Sequence, residues 1–159
     1  MLRIISAYCP NPPTNGPLTV YAQQSLFLNS IEDPWCPGAA FLEDLCSDIN
    51  QFLATGDQIV LLIDGNSDMK QSDLRDALEN DSLREAILDW HGLLGPSTFC
   101  MNNSDQPIDG IWISPGLAPS TCGYFGYDKV LPNTDHRCLW VEFSFVQAFG
   151  HALPAVQCP

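Results

Sequence analysis

Gln58-Ile-Val-Leu-Leu-Ile-Asp-Gly-Asn66 is the stretch on which the reading of this chain turns. Its aliphatic run is rich in β-branched residues and far shorter than a membrane span, so it reads as a buried strand. Side chains two apart along a strand point the same way, which puts Asp64 and Asn66 together at its carboxyl end, where Gly65 begins a turn. A buried strand that hands a carboxylate and an amide to an open loop suits a metal or phosphate site. Asp and Asn also end strands and begin turns without any chemistry. Both readings stand until the rest of the chain is considered.

Outward from that strand, the pattern alternates between helix and sheet. Upstream, Leu2 to Tyr8 reads as a strand stopped by Cys9-Pro-Asn-Pro-Pro13, because proline can continue neither a helix nor a central strand. A helix is expected over Thr19 to about Asn29. A second is expected from about Ala39 to Ala54, with Phe41, Leu42, Leu45, Ile49, Phe52 and Leu53 on one face and Glu43, Asp44 and Asp48 on the other. Downstream, Asp73–Leu78 and Ser82–Trp90 read as short helices, the latter opened by a Ser82/Glu85 capping box. The second half turns to strands: a short one over Ser97 to Met101, then Pro107–Ser114, Cys122–Asp128 and Arg137–Phe145. In Pro107–Ser114, alternation sets Asp109 on the same side as Ile111 and Ile113, where a carboxylate is costly without a partner. The expectation is an α/β (α+β) fold forming one domain over residues 1–148, with a loose tail over 149–159.

Composition narrows the function classes. Hydrophobic residues make up 45% of the 159, enough for one compact core. The formal net charge is −13, with six basic residues against nineteen acidic ones, so the basic footprint of a nucleic-acid binder is absent. The seven cysteines include no CxxC pair, which excludes a clustered zinc site. An odd number of thiols without a signal peptide points to a reducing, intracellular setting. No apolar run approaches a membrane span. A strand beginning almost at residue 1 implies that sequence upstream is missing.

Polar residues gather at strand ends in four places: Tyr8 with Asn11, Asp64 with Asn66, Asp109, and Asp135 with His136. One chemistry uses them all. Phosphodiester hydrolysis needs a cation against the phosphate, a carboxylate to orient or deprotonate water, and donors for developing charge. A histidine can hold or protonate the phosphate while a second carboxylate keeps it oriented and charged.

With these motifs in order, the chain resembles the endonuclease/exonuclease/phosphatase superfamily, the DNase I-like fold, from about Leu2 to Phe145. Ala7-Tyr-Cys-Pro-Asn11 is similar to its Tyr-x-Pro-Asn turn, and Ile63-Asp-Gly-Asn66 to its Gly-Asp-x-Asn motif. Pro107-Ile-Asp-Gly-Ile111 is similar to its Ile-Asp strand, and Thr134-Asp-His136 to its Ser-Asp-His. Val20-Tyr-Ala-Gln-Gln24 adds a similarity to the endonuclease domains attached to reverse transcriptases of mobile elements. The resemblance implies a layered β-sandwich flanked by helices, Mg2+ or Mn2+ as cofactor and a nucleic acid or other phosphodiester as substrate. It implies that Asp64 orients or activates water and that Asn66 and His136 bind the scissile phosphate. Asp109 would orient His136, Asp135 would help hold the metal, and Tyr8 and Asn11 would position the phosphate.

The departures are Ile63 for Gly, Thr134 for Ser, and the lack of the Asn and the metal-binding Glu that the family carries on earlier strands. Glu32 and Glu43 fall in a loop and on a solvent face and cannot replace that Glu. The chain is therefore expected to be the C-terminal part of a domain, incomplete at its N-terminus, and the mobile-element resemblance implies a downstream reverse transcriptase as partner. Three functions remain open: a metal-dependent endonuclease-like domain, a phosphoesterase of inositol phosphate or phospholipid head groups, and an inactive remnant or binding module.

Overall fold

The computed structural model describes residues 1–12, 16–92, 95–100, 106–127, 129–130 and 132–151. The fold is mixed α and β, with two sheets and five helices among the described residues. In chain order these are β1 (Leu2–Tyr8), α1 (Val20–Ser30), α2 (Pro37–Ala54), β2 (Gln58–Asp64), α3 (Asp73–Asn80), β3 (Arg84–Glu85) and α4 (Ala86–His91). Then follow β4 (Asp109–Ile113), β5 (Pro119–Tyr124), β6 (Leu139–Phe143) and α5 (Phe145–Phe149).

The opening strand of the sequence reading, β2, lies in the interior of a four-stranded sheet ordered β1-β2-β4-β3. β1 runs parallel to it and β4 antiparallel. Alternation then divides the core in two. Ile59, Leu61 and Ile63 face α2 and α3 with Trp112, while Val60 faces the other way with Ile111 and Ile113. On that second face the β5–β6 ribbon supplies Cys122, Val141 and Phe143. α2 covers the first face because Leu45 and Ile49 fall one turn apart, and Pro37 starts the helix at the position where its missing N–H costs nothing. Thr19 caps α1 by accepting from Ala22 N at 3.2 Å, and Ser72 caps α3 by accepting from Arg75 N at 3.2 Å. No helix among the described residues is long and apolar enough to cross a membrane.

Several boundaries differ from the sequence expectation. The helix expected over Ser82–Trp90 begins only at Ala86, and the Ser82/Glu85 capping box does not form. Ser82 N ends the preceding helix by donating to Glu79 O, and Ser82 itself adopts φ 67. Arg84 and Glu85 then pair with β4, so Glu85 becomes the cap residue instead of its reciprocal partner. The strand expected over Cys122–Asp128 is β5, shifted to Pro119–Tyr124, and Asp128 lies outside the described residues. The Arg137–Phe145 strand shortens to Leu139–Phe143, because Ser144 accepts from Gln147 N at 3.2 Å and opens α5. In the Ser97–Met101 stretch only Phe99 bridges, to His136, and Met101 lies outside the described residues. Of the expected 149–159 tail, Phe149 closes α5 and Gly150 caps it at φ 74, while 152–159 are outside the described residues.

Candidate functional site

Register, not sequence proximity, assembles the site. Tyr8 pairs with Asp64 across β1–β2, and Asp64 with Asp109 across β2–β4. Registered partners point to the same face, so the three side chains form a row at one end of the sheet. They line a cavity of about 330 Å³ together with Arg137 of the segment leading into β6.

His136 reaches this row from the segment that leads into β6. Residues Thr98–Cys100 run antiparallel to Asp135–Arg137: Arg137 N donates to Thr98 O at 2.7 Å, and Cys100 N to Asp135 O at 3.0 Å. The Thr134 hydroxyl accepts from His136 N at 3.1 Å, and the Phe99 ring lies against the imidazole with centroids 5.1 Å apart. Held this way, His136 Nδ1 stands 3.1 and 3.0 Å from the two Asp109 carboxylate oxygens. Asp109, expected to need a partner, has one. Nε2 is the ring nitrogen left to meet a ligand.

The electrostatics follow from that contact. Partial burial of His136 works against its charge, but the hydrogen bond and charge of Asp109, with Asp64 and Asp135 beyond, hold its pKa above the ordinary 6.5. Burial, reinforced by Asp64, lifts the Asp109 carboxyl, while His136 and Thr98 pull it back only in part. The imidazole's direction sets the character of the pair, because three carboxylates surround one ring and favour its protonated form.

Asp64, Asp109 and His136 offer ligand atoms that all lie within 4.8 Å of one another. Asp135 is not in this cluster. It is exposed, its charge acts on the neighbouring His136, and its backbone carbonyl accepts from Cys100 N. Asn66 also departs from expectation. The alternation of β2 stops at Asp64, and Asn66 sits beyond Gly65 at φ 46. Its N–H donates to Asp64 Oδ1 at 3.1 Å and its side-chain amide to Cys9 O at 2.8 Å. Its side chain therefore clamps the exits of β1 and β2 and lines a neighbouring cavity with Cys9, not the one holding Asp64. Asn11 is exposed and lines neither cavity.

Two residues of the site escaped the sequence reading. Thr98, fully buried, accepts from Ile108 N and Asp109 N, both at 2.9 Å, and its hydroxyl hydrogen-bonds the Asp109 carboxylate. Arg137 donates through Nε to Ser97 O at 2.9 Å and lies 4.2 Å over the Tyr127 ring, which fixes a cation at the cavity wall. Arg137 directly follows His136, and a cation beside a candidate phosphate-binding histidine was the available signal. Thr98 offered none. Among known proteins, no family model matches the chain, and no curated protein matches it either.

Proposed function

We propose that the chain is a phosphodiesterase-type domain of the DNase I-like kind, acting on a nucleic acid. The observation that carries this reading is the Asp64, Asp109 and His136 cluster, with ligand atoms within 4.8 Å of one another and His136 bonded to Asp109, at the edge of a cavity that Asp64 and Asp109 line with Arg137. Asp64 orients and deprotonates the attacking water. His136, kept protonated by Asp109, donates from Nε2 to a phosphate oxygen and steadies the charge that develops there. Arg137 adds a second positive group, and Tyr8 lines the same space.

A divalent cation fits this donor set in part. Asp64 and Asp109 supply hard oxygens of the kind Mg2+ and Mn2+ prefer, with water completing the shell. His136 is a poor third ligand, because its raised pKa favours the protonated ring, which has no lone pair to offer a metal. Bound there, the cation would neutralise phosphate charge; among the described residues the cluster holds no glutamate to bind it more tightly. A small phosphorylated head group is a second reading, favoured by the cavity of about 330 Å³ and the net charge of −13.

The test is hydrolysis of bis(p-nitrophenyl) phosphate, nicking of supercoiled plasmid and release of phosphate from inositol phosphates, each with Mg2+ or Mn2+. Asp64→Asn and His136→Gln are each expected to remove activity. Cleavage by the native chain that survives both substitutions would refute the assignment. Calorimetric titration with Mn2+ separates an enzyme from an inert relative of the fold: no heat at Asp64 and Asp109 favours the latter.

A further inference from the structure

Arg137 differs from the other arginines in what holds it. Arg3, Arg75 and Arg84 each pair with a carboxylate. Arg137 pairs with none among the described residues. Its Nε donates to Ser97 O at 2.9 Å and its Nη1 to Phe125 O at 3.5 Å. Its guanidinium stands over two tyrosine rings, 4.2 Å from the centroid of Tyr127 and 5.3 Å from that of Tyr124. In a chain of net charge −13, a guanidinium fixed by carbonyls and rings keeps its charge for an anionic ligand.

The register of the β5–β6 ribbon extends this feature outward from the cavity. Tyr124 pairs with Leu139, which lines the cavity with Arg137. Registered partners share a face, so Tyr124 sits one strand farther out on the face that forms the cavity wall. It is 39% exposed and meets the exposed His91 of α4, with ring centroids 5.4 Å apart and planes inclined by 66°. Rings inclined in this way form a corner, where a third flat ring can stack on one and turn its edge to the other. The Cys122 thiol holds β5 against α4 by donating to Ala86 O at 3.3 Å. α4 follows β3, the strand at the end of the sheet opposite β1. The corner therefore stands on the α4 side of the cavity, away from the β1 edge.

We infer that Tyr124 and His91 stack an unpaired base of the substrate while Arg137 holds an adjacent phosphate, so that the chain selects single-stranded over duplex nucleic acid. The inference rests on the nucleic-acid reading above and names the form of strand that the site takes. Duplex affinity grows with the number of cations set against phosphates, and six basic residues against nineteen acidic ones supply few. Stacking on aromatic rings needs no such footprint, because every base has a face to offer. In a duplex those faces are covered by the neighbouring bases. An aromatic corner beside one carboxylate-free guanidinium therefore suits a strand whose bases are already exposed.

The probe is fluorescein-labelled oligothymidylate of about ten nucleotides, a usual single-strand site size, in EDTA so that no cleavage occurs. Its controls are the same backbone lacking every base and the same strand annealed to oligoadenylate. By fluorescence anisotropy at low salt, the strand is expected to bind more tightly than the duplex. It should also bind about 5- to 150-fold more tightly than the baseless backbone, the range for one stacked base. Tyr124→Ala should remove that advantage and leave binding of the baseless backbone unchanged, whereas a misfolded variant would lose both. Tyr124→Phe keeps the ring and should keep the advantage. Equal binding of the strand and the baseless backbone, or an advantage that survives Tyr124→Ala, overturns the inference. So does a preference for duplex, or no measurable binding of the strand. Cleavage is scored separately with Mg2+ or Mn2+. A strand that binds through Tyr124 and is never cut upholds the stacking corner and counts against the hydrolytic reading alone.

Discussion

Glu85 is 3% exposed, yet its carboxyl accepts from Leu88 N at 2.5 Å and from Ile111 N at 2.8 Å, joining the start of α4 to β4. Burial, with help from Asp89, pushes its pKa from 4.5 up to about 7 against those hydrogen bonds. The folded protein therefore keeps a proton that the unfolded chain releases above pH ~4.5, and stability falls as pH rises through the interval to about 7. A shift of this size corresponds to about 3 kcal/mol lost across the window, with little further change above it.

Glu85→Gln removes that titration but sets an amide N–H2 group against one backbone donor, costing about 1–3 kcal/mol at pH 5. Urea unfolding of both proteins from pH 5 to 8 isolates the effect, since every other titrating group cancels in the difference. The native chain's advantage should shrink by up to about 3 kcal/mol between pH 5 and 7.5 and change sign if the amide's cost is small. A difference that stays constant across this range would show that Glu85 is ionised throughout and that burial does not govern it.

Other consequences concern the Asp109–His136 pair. Asp109→Asn takes away the hydrogen-bonded charge beside the imidazole, so the His136 pKa should fall, as read from its ring-proton shifts in an NMR titration. In the native chain the pair's contribution to stability is fully present below the unfolded histidine pKa and is lost as pH rises through the raised folded one. Thr98→Val keeps the volume of a buried side chain but leaves Ile108 N and Asp109 N without their acceptor. It should cost about 1–3 kcal/mol in urea unfolding and move the His136 titration, whereas Thr98→Ser should do much less of either.

Much of the fold was legible because local periodicity reports burial. The seven-residue strand β2 and the apolar face of α2 follow from spacing alone, since burying one side of a helix or strand is what selects that spacing. The errors came where a side chain bonds across the chain rather than along it. Ser82 and Glu85 have the spacing of a reciprocal cap, but Glu85 reaches Ile111 N across the sheet instead. That contact is invisible to a local pattern.

The same division runs through the site. Sequence by itself determined that Asp64 ends a buried strand and that Asp109, alternating with isoleucines, must find a partner or stay neutral. These are consequences of backbone geometry and of the cost of burying charge. Tertiary structure alone decided the rest. It aligned Tyr8, Asp64 and Asp109 by register, turned Asn66 toward Cys9 O at φ 46, left Asp135 exposed, and brought Thr98 and Arg137 into the site. The physical reason is that a hydrogen bond depends on distance and direction in space. Strand pairing sets both for residues whose separation along the chain carries no trace of it.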